Sequence, residues 1–300
     1  MNKELGNIVT LGIESSCDDT SCAILRGTKL LANIIANQEI HREYGGVVPE
    51  LASRSHLKNI IPLLDFTLKK AKVNLSEIDL VAYTRGPGLT GSLLVGSSVA
   101  KSLSIALQKP LVEVNHMHAH ILAHFIQREN SINKIPDFPF LCLTVSGGHT
   151  QLVRVDGFQS FVLLGETIDD AVGEAFDKGA KILNLPYPGG PLIDQYSKKG
   201  NPRTFKFSKP NVAELNFSFS GLKTSLLYFI KSQSEKDSNF IENNLFDICA
   251  SYQHTITEIL IEKLVQAIEQ TNIKQIAIAG GVSANSELRK KILEIKGQYG

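Results

Sequence analysis

The sequence predicts an α/β chain of two lobes, each built on a β-β-β-α unit, the second a duplicate of the first. Three observations carry this. Residues 8–35 and 140–166 repeat one pattern, in which an apolar strand enters a small or polar loop and a Thr (Thr20, Thr150) opens a second strand. A Gly (Gly27, Gly157) then turns the chain into a third strand, as alternating apolar residues ended by Gly do in hairpins. Helical periodicity follows each cluster of strands. The 300 residues are 43% hydrophobic and 20% charged, enough to bury a core and far from a disordered composition. We expect a first lobe over residues 1–138 and a second over residues 139–300, with a cleft between them.

In the first half, Leu57, Ile60, Ile61, Leu64 and Leu68 mark an amphipathic helix, and Leu93 to Leu107 a more apolar one. The stretch HREYGGVVPELASRSH (41–56) places His41, Glu43, Arg54 and His56 around two glycines, either as a substrate contact or as a solvated loop. RGPGLTGS (85–92) follows a strand and opens the apolar helix. Gly86, Gly88 and Gly91 match GxGxxG, with Glu113 on the next apolar run. That pattern fits a dinucleotide turn, an anion held at a helix start, or plain close packing of helix on strand.

NHMHAHILAH (115–124) is the sharpest local signal. Asn115 is a good N-cap, so a helix should begin at His116, which places His116 and His120 four apart on one face. Two neutral imidazoles at that spacing suit one divalent metal. The Glu of a HExxH protease is missing, and His118 and His124 read as bystanders.

In the second half, TVSGGHTQL (144–152) sets Ser146, Gly147 and Gly148 between two strands. Amides there can approach a phosphate or carboxylate unobstructed, and Thr150 offers a hydroxyl. The alternative is a simple hairpin turn. IDDAVGEAFDKGAKIL (168–183) reads as a helix capped by Asp169 or Asp170. Asp170, Glu174 and Asp177 form its acidic stripe, which ordinary pairs with Lys178 and Lys181 would also explain. YPGGP (187–191) is a rigid turn followed by Asp194. Stretches 198–210 and 231–239 read as loops, and FSFSGLK (217–223) places Ser220 as an N-cap with Lys223 beyond it. Leu245 to Ile268 carries a long apolar periodicity, and AIAGGVSAN (277–285) is a strand and Gly turn where Asn285 offers an amide to a nucleoside.

Composition excludes several classes. Lys+Arg 31 against Asp+Glu 30 gives +1, so no global field draws nucleic acid or membrane. The four cysteines contain no CxxC, which argues against a disulfide scaffold or zinc ribbon and for a reducing, cytoplasmic setting. No signal-like N-terminal run and no long unbroken apolar run is present, and no membrane partner is expected.

Taken in order, GIESSCDDT, HREYGGVVPELASRSH, GPGLTGSLLVG, NHMHAH, TVSGGHTQL, GETIDDAVGEAFDKGAKIL, YPGGP, FSFSGLK and AGGVSAN resemble the TsaD-type tRNA threonylcarbamoyladenosine synthases, once labelled O-sialoglycoprotein endopeptidases. The resemblance spans nearly all of residues 8–290. It implies an actin/Hsp70-like (ASKHA) two-lobe fold and a tRNA-modifying acyltransferase. That enzyme moves a threonylcarbamoyl group from threonylcarbamoyl-AMP to the exocyclic amine of the adenosine 3′ of the anticodon in ANN-decoding tRNAs, releasing AMP.

Position by position, the resemblance implies that His116 and His120 are metal ligands, usually for iron as Fe(2+). It makes Thr144, Val145, Ser146, Gly147 and Gly148 a substrate-binding loop, with Asp177, Gly190, Asp194 and Asn285 as further contacts. It implies a TsaB-type paralogous subunit and a TsaE-type P-loop ATPase as bacterial partners. Members of the family continue to an Asp-Asn motif whose Asp completes the metal site. Gly300 precedes it, so the sequence reads as a truncated form or takes a third ligand from elsewhere. Competing expectations are an inactive or regulatory actin-like paralogue serving as an assembly partner, and a phosphotransferase of the same fold.

Overall fold

The computed structural model describes residues 4–128 and 135–299, in two compact units, Met1–Ile135 and Pro136–Gly300. The first unit opens with an antiparallel meander, β1 (Val9–Glu14), β2 (Thr20–Arg26) and β3 (Lys29–Ala36). A short helix, α1 (His41–Tyr44), precedes the long α2 (Pro49–Ala71). β4 (Leu80–Gly86) then pairs parallel to β1, α3 (Thr90–Leu107) crosses over, and β5 (Leu111–Asn115) pairs parallel to β4. The strand order is β3-β2-β1-β4-β5. α4 (His116–Leu122) follows β5 directly.

Alternation builds this core. Val9, Leu11 and Ile13 are buried along β1, as are Cys22 and Ile24 on β2. They pack with Ile60, Leu63 and Leu64 of α2 and Val95 and Ala100 of α3. Each buried Val, Leu or Ile side chain among them contributes about 1.5–3 kcal/mol relative to exposure. The apolar stripe read on α2 is only half used: Ile60 and Leu64 are buried, while Leu57 (65%) and Ile61 (57%) remain exposed. α3 is, among the described residues, the helix long and apolar enough to cross a membrane by length and composition alone. Its buried residues, Ser92, Val95, Gly96 and Ala100, are small or branched and form one face.

The second unit repeats the pattern. β6 (Phe140–Val145), β7 (Thr150–Gly157) and β8 (Ser160–Glu166) form an antiparallel meander, and β9 (Ile276–Ala279) pairs parallel to β6 on the other side. Every residue of β6 is buried, which explains its unbroken apolar run, FLCLTV. The helices are α5 (Val172–Ile182), α6 (Gly189–Ser197), α7 (Ser220–Ser234), α8 (Phe240–Thr271) and α9 (Ser286–Tyr299). α8 buries Ile248, Cys249, Tyr252, Ile256, Leu260, Leu264 and Ile268, the periodicity read from the sequence. Tyr252 Oη donates to Ala175 O at 2.9 Å, fixing α8 on α5.

Three local expectations change. α7 extends through Ser234, so only the later part of 231–239 lies outside the helix. Ser220 is the first helical residue rather than the N-cap, a place taken by Phe219. α5 begins at Val172 behind Ala171, and neither Asp169 nor Asp170 caps it. All four cysteines are free thiols; burial pushes Cys22, Cys142 and Cys249 up to about 12.

Candidate functional site

The histidine helix forms as its sequence predicts. Asn115 Oδ1 accepts from the amides of Met117 at 2.9 Å and His118 at 3.2 Å, starting α4 at His116. One turn then brings His120 Nε2 to 3.1 Å from His116 Nε2. Two nitrogens held by one ion at about 2.0–2.1 Å stand roughly 2.9–3.4 Å apart, so the pair has a chelating span. The far nitrogen of His116 is held too. Its Nδ1 lies 3.1 Å from Ser16 Oγ and 3.3 Å from Glu14 Oε2, the oriented-imidazole arrangement found behind metal ligands. Donor type, convergence and backing all fit a divalent metal, although no group of three His, Cys, Asp or Glu suited to a metal occurs among the described residues. Burial lowers the pKa of His118.

Glu14 ends β1 and is held from three sides. Ser16 N donates to its Oε1, Thr84 Oγ1 donates to Oε2 at 2.5 Å, and His116 faces the same oxygen. Burial alone would raise its carboxyl, but bonds with His116, Ser16 and Thr84 outweigh that and bring it down to about 2. Glu14, Ser16 and Thr84 were missed as site residues. The local signal for Ser16 was the matching position of the SSCDDT loop in the internal repeat, whereas Glu14 and Thr84 lie in apolar strands that read only as structure.

That loop is pinned by the motifs read ambiguously in the sequence. Leu89 N donates to Ser16 O at 2.7 Å, and a Cβ on Gly88 would come 2.4 Å from the same oxygen. Gly88 therefore serves close packing against the loop, whereas a Cβ on Gly91 would meet Ser53 of α2 at 3.1 Å. His56 is fully buried, its Nδ1 2.7 Å from Thr20 Oγ1 and its Nε2 3.0 Å from Cys17 O. His41 is buried as well, with Nε2 2.9 Å from Gln38 Oε1. Both histidines of the 41–56 stretch are thus built into the fold, whereas Glu43 and Arg54 are exposed.

In the second unit, Thr144 and Val145 are buried strand residues. Ser146 accepts from His149 N through Oγ at 3.1 Å, and its own N donates to His149 O at 2.8 Å. Gly147 and Gly148 are exposed with open space where a side chain would stand. Thr150 spends its hydroxyl inward: Oγ1 accepts from Val172 N at 2.9 Å and so starts α5. Gly173 N donates to Ser146 O at 3.1 Å, which ties the loop to that helix.

The acidic stripe divides by role. Lys178 bridges Asp170 at 2.7 Å and Glu174 at 2.6 Å. Asp177 Oδ1 instead accepts from Gly189 N at 2.7 Å and Gly190 N at 3.3 Å, holding the start of α6. Burial raises its carboxyl above the ordinary value against the pull of those amides, and Glu174 adds to the rise. Asp169 accepts from Ser218 Oγ, the amides of Phe219 and Ser220, and Ser220 Oγ, anchoring α7. Asp194 Oδ1 accepts from Ser286 N at 3.0 Å and Ser286 Oγ at 2.7 Å, beside Asn285. Asn285, 8% exposed, accepts from Leu288 N at 3.0 Å and donates to Gln253 Oε1 at 2.7 Å. Gln253 carried no recognisable signal in the sequence. Asp194 and Asn285 are brought together, as are Asp177 and Gly190, while the loop at 144–148 joins Gly173.

The family model described as TsaD, tRNA N6-adenosine threonylcarbamoyltransferase, matches residues 29–300. A tRNA N6-adenosine threonylcarbamoyltransferase of Christiangramia forsetii is 58% identical over 290 residues, covering 97% of this chain and 85% of that protein. Another, of Porphyromonas gingivalis, is 52% identical over 294 residues, covering 98% and 86%. Among solved structures, the Acidaminococcus fermentans (R)-2-hydroxyglutaryl-CoA dehydratase component A aligns with TM-score 0.55 at 16% identity, covering 97% of this chain and 89% of that one. Full-length HypF in its phosphate- and nucleotide-bound form aligns with TM-score 0.61 at 13% identity, over 98% of this chain and 51% of that one. At such identities these structures establish the fold, an ASKHA-type two-sheet α/β architecture.

Proposed function

This chain belongs to the TsaD family of tRNA N6-adenosine threonylcarbamoyltransferases, and from that premise we propose that His116 and His120 hold one divalent metal, iron, while residues 144–148, Asp177, Gly190, Asp194 and Asn285 bind the activated donor. Its activity is transfer of the threonylcarbamoyl group to tRNA adenosine, in t6A biosynthesis. Membership at this identity displaces the paralogue and phosphotransferase readings.

The observation that carries the metal assignment is the convergence of His116 Nε2 and His120 Nε2 at 3.1 Å, with His116 Nδ1 backed by Ser16 and Glu14. The acyl donor would be threonylcarbamoyl-AMP, a mixed anhydride that is already activated, so no covalent enzyme intermediate is needed. N6 of adenine attacks the carbamoyl carbon, the bond from that carbon to the phosphate oxygen breaks, AMP leaves, and the N6 proton passes to water. Adenine N6 is a weak nucleophile, so orientation dominates what the protein must supply. Gly147 and Gly148, exposed and with open space where a Cβ would stand, would offer their amides to the phosphate. Asn285 and Asp194 would hold the nucleoside side. Asp177 keeps the start of α6, at Gly189 and Gly190, in place through its two accepted bonds. A divalent ion held by His116 and His120 would supply Lewis-acid charge.

A TsaB-type paralogue and a TsaE-type P-loop ATPase in a bacterial cytoplasm complete the proposed setting; the family supports tRNA as the substrate. The test is His116→Ala and His120→Ala, scored for bound metal and for transfer to tRNA. Each variant should lose both while melting as the parent does; normal transfer by either would refute the assignment.

A further inference from the structure

We propose that Gln253 is a positioning residue for the substrate site, locking the Asn285 carboxamide and tying it to Asp194. The inference rests on the reading of Asn285 as a substrate contact.

Gln253 lies in the middle of α8 and is 2% exposed. A polar side chain there costs free energy unless its atoms are paired, and an apolar residue of similar volume would fill the space without that demand. Its atoms are paired, and the partners form one directional relay. Leu288 N–H, a donor only, fixes Asn285 Oδ1 as an acceptor at 3.0 Å. Asn285 Nδ2 must then donate, and does so to Gln253 Oε1 at 2.7 Å. Gln253 Nε2 in turn donates to Ser197 Oγ at 2.7 Å, and that hydroxyl donates to Asp194 O at 3.0 Å. Every donor meets an acceptor, so no amide in the relay can turn over without placing like against like.

The relay runs from α9 through α8 to α6 and joins Asn285 to the backbone carbonyl of Asp194. Asp194 is joined to α9 a second time, through Ser286. With one lone pair of Oδ1 used by Leu288 N–H and one Nδ2 proton used by Gln253, Asn285 retains one Nδ2 proton and one Oδ1 lone pair for a ligand. The remaining Nδ2 proton suits an acceptor, such as a hydroxyl or carbonyl oxygen of the nucleotide donor. Without Gln253, the carboxamide keeps a single tether and can swing about its terminal torsion.

The test is steady-state transfer by the full chain with its partner proteins and tRNA, varying threonylcarbamoyl-AMP. Gln253→Met keeps the volume and removes the relay. It should raise the KM for the donor roughly five- to tenfold, with kcat within about twofold, as loss of one aligned hydrogen bond predicts. Asn285→Ala should raise KM by itself, and adding Gln253→Met should then cost nothing more, because one acts through the other. A merely structural glutamine would give losses that multiply in the double variant. That result, or a parental KM for Gln253→Met beside a damaged Asn285→Ala, overturns the proposal. If Gln253→Met does not fold, Ser197→Ala carries the test: a KM raised about two- to fivefold supports the relay, and an unchanged one overturns it. A parental KM for Asn285→Ala would instead remove the premise, the reading of Asn285 itself.

Discussion

Glu14 stands behind His116, its Oε2 3.3 Å from Nδ1 although 102 residues separate them in the chain. The carboxylate at the end of the first strand thereby sets the ring whose other nitrogen meets His120.

Glu14→Gln should keep the fold and weaken metal binding about 10- to 100-fold, as loss of an orienting carboxylate does elsewhere. A metal titration of the purified variant reads this directly. Affinity equal to the parent would mean that Ser16 alone orients the ring.

His118 sits on the same helix but outside the converging pair. His118→Gln should retain metal at parental stoichiometry, measured by elemental analysis. Loss of the metal there would reassign the ligands on α4.

Asp169 gives a pH-dependent prediction. Burial pushes its carboxyl up, but bonds from Ser218, Phe219 and Ser220 outweigh that and hold it below the ordinary value. A carboxylate with a lowered folded pKa stabilises above its unfolded value near 3.9, and that gain is lost as pH falls through the folded value. Asp169→Asn should therefore lower the melting temperature by a few degrees at pH 7, and the gap to the parent should close on acidification below about pH 4. A gap independent of pH would exclude the charge as its source.

Gly280, with φ of 86°, closes the strand-to-turn junction after β9, and a Cβ there would come 2.3 Å from Val145 O. Gly280→Ala should destabilise by about 1–3 kcal/mol in a denaturant melt, from strain and the displaced end of β6. It should also impair donor binding, since Val145 leads into the glycine loop. A neutral melt would show that this junction yields freely.

Local chemistry was the legible part of the sequence. The Asn115 cap, the His116–His120 spacing and the repeated meander all follow from residues a few positions apart. The partners of those residues were not legible, because tertiary packing chose them. Thr150 read as a ligand hydroxyl and caps α5 instead, through Val172 N at 2.9 Å. Ser220 read as a cap, yet it and Ser218 bind Asp169, some 50 residues away. Periodicity on α2 gave the width of the apolar stripe but not which half meets the sheet, so Leu57 and Ile61 remain outside the core. Gln253 lay hidden within a helical run whose neighbours, Tyr252 and Ile256, spoke only of packing.

The decisive measurement is metal content and transfer activity on the same preparation, for the parent and for a His116→Ala/His120→Ala double variant with partner proteins, tRNA and threonylcarbamoyl-AMP. The convergence of the two imidazoles predicts about one metal per chain and full transfer in the parent, with neither in a double variant that still melts cooperatively. Transfer by a metal-free double variant at the parental rate would contradict it.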